Sequence, residues 1–190
     1  MLRLLIQNIG AVNLNLLEWL KENIKSYLPS PHLIFEVSQK PIQISPSLYD
    51  SNRSQFKASG ILREISSLSK ESGFFRILGV TEYDIYVEGL NFVFGLAQKP
   101  LNLFDKTPLA ALISTNRLKT GLPKSDIQFF KLRLLKEAIH ELGHTFSLDH
   151  CSNNCVMKFS NTIFETDLKP PSLCERCVKQ AQIFISNMNG

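Results

Sequence analysis

The sequence predicts an α+β (mixed α/β) fold, with helices packed on a twisted N-terminal sheet, a long helix after it, and a small C-terminal part that carries the cysteines. Three observations predict it. Leu2, Leu4 and Ile6 alternate with a strand's period of two, whereas Leu16, Leu17, Leu20, Ile24, Tyr27 and Leu28 recur at helical spacing. Strand-like and helix-like segments then follow one another through the first 115 residues, separated by Gly- and Pro-containing turns. Finally, all four cysteines fall within residues 151–177.

In chain order, the alternation at Leu2, Leu4 and Ile6 marks the first strand. Asn13 offers its side chain as cap to the first helix, which Pro29 stops. Leu33–Val37 reads as a second strand. A second helix is expected over residues 55–70, with Ile61, Leu62, Ile65 and Leu68 facing the core and Gly73 just past its end. Residues 75–80, 92–96 and 109–114 are short strands. The strand at 92–96 reads equally well as an edge against which an extended peptide lies or as a buried strand with no further role. The long helix is expected from Ser125 or Asp126 to Phe146, with Leu132, Leu135, Ile139, Leu142 and Phe146 as its apolar stripe. At about 100° per residue, His140 and His144 lie some 120–160° around the helix from that stripe, free to face a cleft.

Composition bounds the rest. At 190 residues, 44% hydrophobic and 20% charged, the chain is expected to form one globular domain over 1–190, with a sheet-and-helix part over 1–147 and a C-terminal part over 148–190. The net charge of +4 is mild. Arg117, Lys119, Lys124, Lys131, Arg133 and Lys136 face one acid, Asp126, but no aromatic-rich surface accompanies them. They are expected to form a solvated face, and no nucleic-acid partner is expected. Residues 1–10 show no charged leader or cleavage site, and no apolar run approaches the ~20 residues of a membrane span. No membrane association is expected, and a cytoplasmic location follows, where thiols serve more readily as metal ligands than as disulfides.

His140-Glu141-Leu142-Gly143-His144 matches the pattern HExxH. Histidines four apart on a helix point the same way, so both rings can reach one zinc, and Glu141 beside them can take a proton from the water that zinc activates. His150 follows six residues after His144, past an expected helix end near Ser147. Three protein ligands leave a fourth position open, as catalysis requires. His32, between Pro31 and Leu33, reads as an ordinary loop or strand-edge residue.

Cys151, Cys155, Cys174 and Cys177 form two close pairs, which suits a closed tetrahedral structural zinc site. A redox dithiol at Cys174 and Cys177 leaves the other two unexplained. Two structural disulfides are a third reading, disfavoured in a reducing compartment.

The run H-E-x-x-H-x-x-S-x-x-H has the spacing of the metzincin zinc-binding segment. Continued by Cys155-Val156-Met157 and Cys174-Glu175-Arg176-Cys177, it resembles the archaemetzincin family, as does Asn91-Phe92-Val93-Phe94-Gly95 upstream. The motif match is dense over residues 140–177 and sparse over 91–95. The resemblance implies a metzincin-like zincin fold and a zinc-dependent metallopeptidase acting on peptide or protein substrates. It implies two Zn²⁺ per chain. His140, His144 and His150 would hold the catalytic ion, with Glu141 as general base, and Cys151, Cys155, Cys174 and Cys177 would hold the structural one. Met157 would lie beneath the catalytic metal; by composition alone it is a core residue. The chain departs from the family at Ser147, where glycine is usual, and the 151–155 and 157–174 spacings are each one residue shorter. A serine forced to positive φ costs about 1–2 kcal/mol, and on that ground a weakly active or inactive zinc-stabilised binding module is the alternative. No motif addresses oligomeric state.

Overall fold

In the computed structural model of the protein, which describes residues 1–29, 31–123 and 125–188, the chain begins with β1 (Leu2–Ile9), α1 (Leu14–Ile24) and β2 (Leu33–Val37). Two short strands, β3 (Tyr49–Asp50) and β4 (Gln55–Lys57), lead into α2 (Ala58–Ser72). Then come β5 (Arg76–Thr81), β6 (Ile85–Tyr86), β7 (Gly95–Ala97) and β8 (Leu109–Ser114). The last third is helical: α3 (Ile127–Thr145), α4 (Ile163–Leu168) and α5 (Glu175–Met188).

The main sheet has the order β2-β1-β5-β8-β7. Its first four strands are parallel, and β7 runs antiparallel to β8 at the edge. Strands β5 and β8 are buried along their whole length, as parallel strands covered on both faces must be. Alternate residues divide the core. Leu78, Val80, Ala111 and Ile113 pack with α1 and α3, while Ala110 and Leu112 pack with Ile61, Leu62 and Ile65 of α2 on the other face. A second, three-stranded sheet pairs β3, β4 and β6. Among the described residues no helix is long and apolar enough to cross a membrane.

Asn13 caps α1 as expected, accepting the Asn15 N–H at 2.9 Å. That helix ends at Ile24, earlier than Pro29 would require; residues 25–27 continue as a turn and Leu28 still reaches the core. Gly73 ends α2 in the left-handed conformation, φ 71°. The start of α2 differs from the expected residue 55. Residues 55–57 are taken into the small sheet, where Phe56 and Lys57 pair with Ile85 and Tyr86. The strand expected at 92–96 is shorter and displaced to Gly95–Ala97. In α3, Leu132 is only half-buried and Leu134 takes its place in the core.

The basic stretch is not the solvated face expected of it. Arg133 and Lys136 are buried, because α4 covers them: Arg133 pairs with Asp167 at 2.7 Å, and the Lys136 ammonium donates to the carbonyls of Thr166 and Asp167. Arg117 and Lys119 are paired with Asp84 and Glu82. Lys124 lies outside the described residues.

Candidate active site and a neighbouring candidate metal centre

Helix α3 carries His140, Glu141 and His144 to the floor of a cleft of about 450 Å³. Two devices end the helix at the right place. The fully buried guanidinium of Arg76 donates from Nε and Nη2 to the Thr145 carbonyl at 3.1 and 2.9 Å, satisfying a terminal acceptor of α3. Next, Ser147 takes φ 66°. The Ser147 N–H then reaches the His144 carbonyl and the Leu148 N–H the Gly143 carbonyl, both at 3.1 Å, the paired bonds of a Schellman turn. Gln180 of α5 donates to the Ser147 carbonyl at 2.8 Å and holds the turn from outside.

That reversal brings His150 back to the helix. One nitrogen from each of His140, His144 and His150 lies within 4.8 Å of the others. The Nδ1–H of His140 donates to the Val156 carbonyl at 2.9 Å and that of His144 to the Leu148 carbonyl at 2.8 Å. Both tautomers are thereby set, with Nε2 turned inward. The two Nε2 atoms are 3.2 Å apart; nitrogens sharing a tetrahedral zinc at ~2.0–2.1 Å stand about 3.3 Å apart. Burial is the main force pulling His140 down to about 3 and His144 to about 4, so both rings are neutral lone-pair donors at pH 7. His150 is exposed, its ring 4.8 Å from that of Phe159. His32, also exposed, lies outside this group, at the entry to β2.

Glu141 is buried beside the histidines. A Cβ built on Gly95 would come within 2.6 Å of the Glu141 Cγ and Oε1, so β7 can lie against this carboxylate only with glycine there. Burial first, and then the Glu137 carboxylate one turn away, push the Glu141 carboxyl well above the usual carboxylate range. Glu137 is itself paired with Lys169 at 2.9 Å, both side chains buried. Met157 packs under the same helix: a Cβ on Gly143 would stand 2.4 Å from its sulfur.

The four cysteines follow at once. Their sulfurs form a single group within 4.8 Å of one another, and none is disulfide-bonded. Cys151 and Cys174 Sγ are 3.7 Å apart, against about 3.8 Å for sulfurs on a tetrahedral zinc at ~2.3 Å. Sγ of Cys155 accepts the Cys174 N–H at 3.2 Å, and Sγ of Cys151 a bond from Arg176 at 3.4 Å. Both donor sets therefore fit zinc in residue type and spacing.

Arg76, Glu137, Phe159, Ser160 and Lys169 belong to this region without any sequence signal pointing to them. One signal was available nearby: Thr162-Ile163-Phe164-Glu165 is a capping-box pattern, and the box forms at the start of α4.

Comparisons with known proteins agree with the geometry. A sequence model described as peptidase family M54 matches residues 7–183. The archaemetzincin of Methanocaldococcus jannaschii is 41% identical over 192 residues, covering 97% of each chain. That of Pyrococcus furiosus is 37% identical over 188 residues, 94% of this chain and 92% of its own. The crystal structure of archaemetzincin from Methanopyrus kandleri superimposes with a TM-score of 0.81 at 31% identity, over 97% of this chain and 96% of that one. With this length of match and both donor groups formed, the chain belongs to the archaemetzincins, peptidase family M54, and is a zinc metallopeptidase.

Proposed function

We propose that the protein hydrolyses peptide bonds with Glu141 as general base, at a zinc held by His140, His144 and His150. Cys151, Cys155, Cys174 and Cys177 hold a second, structural zinc. The observation that carries this reading is the convergence of three imidazole nitrogens beside a buried carboxylate seated on an edge strand. Zinc at the histidines supplies Lewis acidity, lowering the pKa of water from 15.7 toward about 7 and polarising a carbonyl.

The protein's own residues do the rest. Glu141 accepts a proton from the attacking water and delivers it to the departing amine nitrogen. Strand β7 supplies the seat for the substrate. The bonds Ser114 N–H to Phe94 carbonyl and Gln98 N–H to Ala110 carbonyl show that residues 94, 96 and 98 face β8. Gly95 and Ala97 therefore turn their N–H and C=O groups to the open edge, and an extended peptide adds there as a further strand.

The inactive binding module is the weaker reading. Its motive was Ser147, and Ser147 adopts the turn that brings His150 to the other histidines. The decisive experiment digests a mixed peptide library and detects products by mass spectrometry. The wild type should cut peptides and carry two zinc ions per chain; Glu141→Gln should carry two and cut none. A two-zinc wild type that leaves every peptide intact would overturn the activity, and a single zinc would overturn the second site.

A further inference from the structure

We infer that Ser160 is a substrate-contacting residue, its hydroxyl hydrogen-bonding the backbone of the peptide bound in the cleft. Among the described residues, buried side-chain polar atoms without a partner are confined to two hydroxyls, those of Thr115 and Ser160. Ser160 is the one that lines the cleft. A buried hydroxyl left unpaired destabilises the free protein, and native structures retain few such groups. The same cleft is lined by apolar side chains as well, among them Val87, Leu90, Phe92 and Phe159. In such pockets a few fixed polar groups orient the ligand.

The backbone on either side of Ser160 is also held in place. The preceding residue, Phe159, lies against His150. The following N–H groups, of Asn161 and Thr162, are both bound by the Glu165 carboxylate, at 2.6 and 3.0 Å. Helix α4, which carries Glu165, is pinned to α3 by the part-buried Arg133–Asp167 pair and the buried Lys169–Glu137 pair. That network gives the buried charges of α3 a purpose: it fixes the wall on which Ser160 stands. A hydroxyl both donates and accepts, and an extended peptide offers a carbonyl and an N–H at every residue.

The inference rests on the proposed peptidase reading, and its test separates the two. Binding of the library peptide that wild type cuts fastest is measured by calorimetry in the Glu141→Gln protein, with and without Ser160→Ala. Loss of one neutral hydrogen bond should weaken binding about three- to tenfold. In the active protein Ser160→Ala should raise KM by a similar factor and leave kcat within about twofold, because the contact is made equally before and in the transition state. Ser160→Thr, which keeps the hydroxyl, should recover most of the loss. Zinc content should stay at two, and the thermal midpoint of Ser160→Ala should equal or exceed wild type, since an unpaired buried group has been removed. Unchanged peptide affinity, a loss confined to kcat, or a lowered midpoint that accounts for the defect would overturn the assignment to Ser160 alone. Absence of any peptide cleavage by wild type would instead strike at the peptidase reading.

Discussion

The Nδ1–H of His140 donates to the carbonyl of Val156 at 2.9 Å, and Val156 is bonded directly to Cys155. The histidine and cysteine groups are thus joined through backbone. His150 is likewise one peptide bond from Cys151, and Gln180, on the helix that carries Cys177, holds the Ser147 turn. Each link passes through a residue that orients a histidine or the turn leading to one.

Loss of the cysteine site should therefore reach the histidine site. Cys174→Ser/Cys177→Ser is expected to lose one zinc and to weaken zinc binding at the histidines by about 10–100-fold, the usual cost of removing an outer hydrogen-bond partner. Elemental analysis combined with competition against a colorimetric chelator reads both effects. Histidine-site affinity equal to wild type in a folded double variant would mean that the two groups are independent.

Gly95 should be intolerant of even a methyl group. A Cβ there meets the Glu141 side chain at 2.6 Å and the Leu112 carbonyl oxygen at 2.7 Å, and the second contact is with backbone of β8 that cannot swing away. Either β7 or Glu141 must shift. Gly95→Ala is expected to lower kcat/KM at least about tenfold with both zincs retained, and to destabilise by about 1–3 kcal/mol, the cost of overpacking. Wild-type kinetics in this variant would show that Glu141 does not depend on its seat against β7.

The buried histidines set an unusual pH response. Their pKa values are depressed to about 3 and about 4, mainly by burial, so the folded protein keeps both rings neutral from alkaline pH down to about 4. Protons then compete with zinc for these two rings only below that range. Affinity at the histidine site should change less than about tenfold between pH 7.5 and 5.5, with His150 the main contributor. Three ordinary histidines, titrating near 6.5, would lose roughly a thousandfold over the same interval. Competition titrations at the two pH values distinguish the cases, and a thousandfold loss would show that the rings are not held neutral.

What could be read from the sequence was whatever local spacing dictates. The cap at Asn13 and the stop at Gly73 follow from chemistry within a few residues, whereas the reversal at Ser147 was expected from the family resemblance, since serine does not itself favour positive φ. The pairing of His140 with His144 is local too, because helical geometry alone puts them on one face. The features that escaped are long-range. Arg76 meets Thr145 across 69 residues, and Arg133 finds Asp167 across 34, so a basic stretch that looks solvated by composition is buried once α4 arrives. Residues 55–57 left the expected helix because a strand partner at Ile85 and Tyr86 took them. No periodicity announces an ion pair between distant segments, nor a hydroxyl such as that of Ser160 left without a partner.

Ser147 gives the sharpest test of how the site is built. Its φ of 66° lies in the left-handed region, where a side chain crowds the backbone at a cost of roughly 1–2 kcal/mol. The hydrogen bonds that define the turn, from the Ser147 and Leu148 N–H groups to the carbonyls of His144 and Gly143, are all backbone, so glycine keeps them. Glycine also loosens the unfolded chain, which takes back part of the gain. Ser147→Gly should therefore stabilise the zinc-loaded protein by about 1 kcal/mol, a rise of about 2–4 °C in thermal midpoint for a chain of this size. Metal content at the cysteines should not change, because glycine keeps the turn and the Ser147 carbonyl that Gln180 reaches. Ser147→Ala is the control, since it removes the hydroxyl and keeps the strain, and it should bring no rise. A glycine variant that melts lower or binds zinc more weakly at the histidines would show that the serine carries no strain worth relieving. If alanine and glycine raise the midpoint equally, the gain comes from the hydroxyl and not from the backbone.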